Sequence, residues 1–172
     1  MNTIWENIFR LRQKASDQID ALLLNIPIFQ DLERRELKKI KRILHQRQYS
    51  EKEVIFSQGD VGLGMYIIVD GEVGIVCGPD SRVLAELKGG DFFGELSLLD
   101  DAPRSATAVA KAPCVMLCFF KPELLDLISR DPRLGSKIIF RLAWVVGERL
   151  KSTNEQLHEM SCRRREGAAP LS

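Results

Sequence analysis

Glu95 and Arg104 stand nine residues apart in "GELSLLDDAPRSATA", residues 94–108. An arginine offers a planar fork of donors that suits a phosphate or a carboxylate. Ser105, Ala106 and Thr107 follow it, and Gly94 lies at the other end of the stretch. Such small residues let backbone N–H groups approach an anion closely. A helical turn in "ELSLLD" would add further free N–H groups. A carboxylate beside an anion is repelled unless it has separate work, and accepting hydrogen bonds from sugar hydroxyls is such work. Two readings follow from the residues. Glu95 and Arg104 pair with each other across a turn, as an exposed bridge worth about 0–1 kcal/mol. Or they hold the two ends of a sugar phosphate. Spacing alone leaves both open.

Metal and redox chemistry find less support. The four cysteines stand at 77, 114, 118 and 162, and the two histidines at 45 and 158. No C-x-x-C pair occurs, so neither a metal centre nor a resident cofactor is expected. Cys114 and Cys118 share one face of an apolar strand and read as buried free thiols. No catalytic group is assigned, and the chain is not expected to be an enzyme.

The elements around these residues change period along the chain. Residues 3–24 carry apolar positions at Ile4, Ile8, Leu11, Ala15, Ile19 and Leu22, the stripe of an amphipathic helix. Residues 31–45 form a second helix whose dense Arg/Lys/Glu face reads as solvated surface. From Gln48 to Lys121 the runs are short, rich in Val, Ile and Phe, and punctuated by Gly, Pro and Asp. Asp70-Gly71 between two apolar runs is a hairpin signal. This pattern predicts an antiparallel sandwich or jelly roll. Helical period returns after Lys121. Pro122–Ser129 makes a short helix, and Asp131-Pro132 supplies an N-cap and first-turn proline for a long one. There Ile139, Leu142, Val146, Leu150, Thr153, Leu157 and Met160 form a near coiled-coil seam interrupted at Thr153.

The stretch "GDFFGELSLLDDAPRSATAVA" resembles the phosphate-binding cassette of the cyclic nucleotide-binding domain family. That family pattern is Phe-Gly-Glu, a few apolar residues, then Pro-Arg-small-Ala. Phe93-Gly94-Glu95-Leu96-Ser97 and Pro103-Arg104-Ser105-Ala106-Thr107 follow it without departure. "VIFSQGDVGLGMYIIVDGEVGIV" is similar to the family's early strands, and the resemblance spans about residues 26 to 160.

The resemblance implies a mainly β fold, an antiparallel β jelly roll (double-stranded β-helix) with N-terminal helices and a long C-terminal helix. It implies that Glu95 hydrogen-bonds the ribose 2′-hydroxyl and that Arg104 meets the cyclic phosphate. Gly94, Leu96, Ser97, Ser105 and Ala106 line the ligand, and Asp100-Asp101-Ala102-Pro103 is the loop that returns the chain. Ser105 matches receptors of cyclic AMP, where guanine-selective relatives often carry threonine. "RLKSTNEQL", residues 149–157, is similar to the long helix of the catabolite activator branch, in which a Thr-Ser pair contacts adenine, its second residue from the partner subunit. Thr153 matches that pair, and Asn154 departs but can still hydrogen-bond. A tolerated polar seam residue is the other reading of Thr153.

These expectations divide the chain into an N-terminal amphipathic helix (1–25), a ligand-binding β-roll (26–135), a lid and dimerisation helix (136–162) and a flexible tail (163–172). The ligand is cyclic AMP rather than cyclic GMP. The partners are a second copy of the chain through the C-terminal helix and an effector protein in trans. The chain ends twelve residues past Met160, too short for a helix-turn-helix, so no direct DNA contact is expected. A net charge of +1 gives no electrostatic pull toward nucleic acid. No run approaches the roughly 20 apolar residues of a membrane span, and the charged N-terminus lacks a signal-peptide core, which places the protein in the cytoplasm. Two other readings compete with this one. A cupin-like metalloenzyme needs clustered histidines, and the strand region reads as holding none. A ligand-free jelly roll would serve as a protein-interaction or dimerisation module.

Overall fold

Strand β8 (Cys114–Phe120) is apolar at every position because both of its faces are covered. Cys114, Met116 and Cys118 point between two sheets, while Leu117 and Phe119 point outward beneath helices. Strand β3 (Gly64–Asp70) does the same, with Tyr66 and Ile68 inward and Met65 and Ile67 against the helices. The computed structural model describes residues 17–166, with side chains through 159. The remaining strands are β1 (His45–Tyr49), β2 (Val54–Phe56), β4 (Glu72–Cys77), β5 (Arg82–Lys88), β6 (Phe92–Phe93) and β7 (Thr107–Ala110). They form two four-stranded antiparallel sheets, ordered β1-β8-β3-β6 and β2-β7-β4-β5. This is the jelly roll that the strand spacing predicted. Cys114 and Cys118 are buried free thiols, and burial pushes the Cys118 thiol up to about 11.

Asp70-Gly71 does not make a hairpin. Its flanking strands lie in different sheets: β3 pairs with β6 and β8, and β4 pairs with β5 and β7. Gly71 has a φ of +100°, and a Cβ there would sit 2.5 Å from the Pro113 carbonyl oxygen. The dipeptide therefore turns a corner between sheets, under the cover of Pro113 and Cys114. A turn signal reports the reversal, not which strands pair afterwards.

Helix α1 covers residues 17–25 of the predicted N-terminal helix, and residues 3–16 lie outside the described residues. Helix α2 (Arg34–Ile43) is shorter than expected. His45, assigned by periodicity to that helix, instead opens β1, bonds Glu123 at 2.9 Å and packs on Phe120. The strand region thus holds a histidine. The charged face of α2 is also not wholly solvated. Glu36 caps its own helix through the Glu33 N–H at 2.9 Å and accepts from Lys137 at 2.7 Å, and Lys39 bonds Asp131 at 2.7 Å. Asp31 pairs with Arg141.

Helix α3 (Lys121–Arg130) leads into α4 (Pro132–Glu166). Asp131 Oδ1 accepts from the Leu134 N–H at 3.3 Å, so the helix is capped one residue before its proline. That cap sets its start at Pro132, as the Asp131-Pro132 pair predicted, and its backbone runs to Glu166. The apolar stripe divides. Leu134, Ile138, Leu142 and Val145 are buried against the sheet and the N-terminal helices, with Ile139 partly so. Leu150 and Leu157 are 59% and 57% exposed, because the helix outruns the sheet that covers its first half. No helix among the described residues is long and apolar enough to cross a membrane.

Candidate functional site

Between β6 and β7 the chain makes one 3₁₀ turn, Glu95–Leu98, and then an extended return. Gly94 introduces the turn with a φ of +76°, a conformation that side chains resist. Val61 bridges to Pro103, the Gly59 N–H donates to the Arg104 carbonyl at 2.9 Å, and the Arg104 N–H donates to the Asp60 carbonyl at 2.8 Å. The loop is thereby pinned to the turn that follows β2, so Arg104 re-enters opposite Glu95.

A cavity of about 450 Å³ opens there. It gathers Gly94, Glu95, Leu96, Ser97, Arg104, Ser105 and Ala106, seven of the residues singled out from the sequence. Its far wall is apolar, built by Ile75 of β4, Ala85 and Leu87 of β5, and Phe92 of β6. Side chains of β5 alternate, so Ala85 and Leu87 face inward while Glu86 reaches out to Lys111 at 2.8 Å. One end of the cavity is thus charged and the other greasy, as a nucleotide's phosphate and base require.

Glu95 is 5% exposed and Arg104 is 7% exposed. They do not form an exposed bridge. Arg104 Nη1 donates to the Gly94 carbonyl at 3.1 Å and to Ser97 Oγ at 2.7 Å, and Nη2 donates to the Gly64 carbonyl at 2.6 Å. Its guanidinium lies 4.1 Å from the centre of the Phe56 ring. Burial lowers the Arg104 pKa from its ordinary value, while Tyr66 and Glu95 act to raise it. An anion brought alongside would offset that burial cost.

Glu95 instead meets a residue that sequence reasoning missed. Arg149, on α4, holds its carboxylate at 2.7 Å. The same guanidinium donates to the Phe92 carbonyl at 3.0 Å and lies 4.7 Å from the Phe92 ring centre. Arg149 lines the cavity, whereas Thr153 and Asn154 are exposed and do not reach it. Thr153 Oγ1 is turned back onto the Arg149 carbonyl at 2.9 Å. Four residues further along a helix is about 6 Å of rise, so the arginine reaches the site first. The available signal was a cation one helical turn before Thr153, on the same face.

Residues 46–131 match the family model of the cyclic nucleotide-binding domain. The chain belongs to that family. It is 34% identical over 138 residues to the cyclic AMP receptor protein of Thermus thermophilus, covering 78% of this chain and 62% of that one. It is 41% identical over 136 residues to a cAMP-dependent protein kinase regulatory subunit of Mycosarcoma maydis, covering 78% of this chain and 25% of that one. The crystal structure of the Thermus thermophilus catabolite activator protein superposes with a TM-score of 0.69 at 33% identity, over 78% of this chain and 63% of that one. The chain therefore spans less than two thirds of these relatives. The family is one of ligand-binding regulatory domains, and its assignment supports a cyclic nucleotide sensor role.

Proposed function

We propose that this chain senses a cyclic nucleotide, with cyclic AMP as its ligand, and passes the signal to α4. The observation that carries the reading is the pairing of Arg149 with Glu95. The carboxylate that would accept the ribose 2′-hydroxyl is the one that the long helix already holds. Ligand and helix position therefore act on one group, the requirement for a coupling free energy between them. The phosphate would meet Arg104 and the small residues Ser105 and Ala106, and the base would lie on Ile75, Ala85 and Leu87. Ser105 and the Thr153–Asn154 pair favour adenine. Those two helix residues would engage only after α4 moves over the cavity, with Asn154 supplied by a second subunit.

Dimerisation through α4 fits the same picture. An isolated helix with apolar residues on one side is marginal in water, and Leu150 and Leu157 are seven residues apart, with Phe140 and Trp144 also exposed on that helix. The module performs no chemistry on its ligand and needs no cofactor. Its output goes to an effector protein in trans.

Titration calorimetry with cyclic AMP and cyclic GMP tests the reading. A buried charge-assisted hydrogen bond is worth about 1.5–3 kcal/mol, so Arg104→Ala should weaken binding by about one to two decades. No heat from either nucleotide at high micromolar concentration overturns the sensor reading. Cyclic GMP binding tenfold tighter than cyclic AMP defeats the arguments from Ser105 and Thr153 alone.

A further inference from the structure

Arg104 is held from more sides than a phosphate contact needs. Two backbone carbonyls and the Ser97 hydroxyl take three of its four Nη–H donors, while Nε is buried with no hydrogen-bond partner. Its flat face rests on Phe56, the last residue of β2. Phe56 is itself braced by Tyr66 and Phe93, with ring centres 5.7 Å and 5.9 Å away. Those two rings stack on each other at 5.3 Å and 13°. Ser97 packs closely on Gly62, where an added Cβ would lie 2.0 Å from its hydroxyl. The donors at Nη1 and Nη2 thus set the plane of the guanidinium, and the Phe56 ring sets which side of that plane faces the cavity.

We infer that Phe56 and Ser97 are positioning residues, which hold the Arg104 guanidinium in the orientation that meets the ligand's phosphate. This rests on the cyclic nucleotide reading above. A cation–π contact that is shielded from water is strong enough to orient an arginine. A free arginine side chain would otherwise lose rotamer entropy when the ligand arrived, and that cost falls on affinity. Here the folded chain has already ordered it. Phe56 and Ser97 also line the cavity, so an effect that passes through Arg104 is what separates positioning from direct lining.

A double-mutant cycle reads this directly, using the full chain, cyclic AMP and NMR titration. Phe56→Leu should raise Kd about three- to tenfold, and Ser97→Ala about threefold, for loss of a ring contact and a hydroxyl acceptor. In an Arg104→Ala background both effects should fall below about twofold, because their route is gone. Phe56→Tyr, which keeps a ring, should restore affinity to within about twofold of the parent. Equal losses in the two backgrounds would mean that Phe56 and Ser97 merely pack the pocket, and the inference is then overturned. Independently of ligand, the Arg104 Nε–H resonance should show an upfield ring-current shift that Phe56→Leu removes and Phe56→Tyr keeps. An Arg104 Nε–H signal unmoved by Phe56→Leu also overturns it. A parent chain that ignores cyclic AMP defeats the ligand reading alone, and the ring-current arm still decides the positioning.

Discussion

A carboxylate as enclosed as Glu95 needs a partner, since burying a charge without one is costly. Arg149 supplies it while remaining half exposed itself, so the pair sits at the seam between the cavity and α4. Removing the arginine should leave ligand contacts from Arg104 and the cassette intact. Arg149→Ala is accordingly expected to bind cyclic AMP within about tenfold of the parent. Its α4 amides, however, should no longer change their hydrogen-exchange protection when ligand is added. Unaltered ligand-dependent exchange in that variant would show that coupling runs elsewhere.

The corner at Gly71 matters most among the strands and turns. It passes the chain from one sheet to the other, and both neighbours that would meet a new side chain belong to the Pro113-Cys114 segment. A left-handed φ and a backbone carbonyl at 2.5 Å leave no room for relaxation by a rotamer change. Gly71→Ala should therefore destabilise the fold by about 2 kcal/mol or more, from positive-φ strain plus overpacking. Thermal unfolding followed by circular dichroism would show it as a lowered Tm. By contrast Gly78, also at positive φ, has open space around it. The alanine variant there meets strain alone and should lose less, so the two together separate strain from collision.

At the scale of the molecule, one helix serves two surroundings. Its first half completes the core against the first sheet, and its second half projects beyond, with every residue from 148 to 159 exposed. That division suits a helix whose outer half is finished by a second copy. Sedimentation velocity at tens of micromolar should find a dimer for the parent chain. Leu150→Asp together with Leu157→Asp should yield a monomer whose melting temperature is little changed, since neither residue is buried. A monomeric parent chain removes the dimer from the mechanism, and with it the role given to Asn154.

The sequence by itself determined the family, because the residues that carry the resemblance, Phe93 to Thr107, are contiguous. Spacing within that stretch left open whether Glu95 and Arg104 pair with each other, and the structure shows that they do not. The sequence also determined the number and kind of elements, since the change of period from two to 3.6 is local. The tertiary structure alone decided which strands follow Asp70-Gly71 into which sheet, where the α4 stripe leaves the core, and that Arg149 and Phe56 attend Glu95 and Arg104. Those contacts join residues 54 and 48 positions apart. A surface arginine or a strand-end phenylalanine has the same local pattern whether it faces solvent or the site. Only the packing of sheet on sheet and of α4 across their open end selects between them.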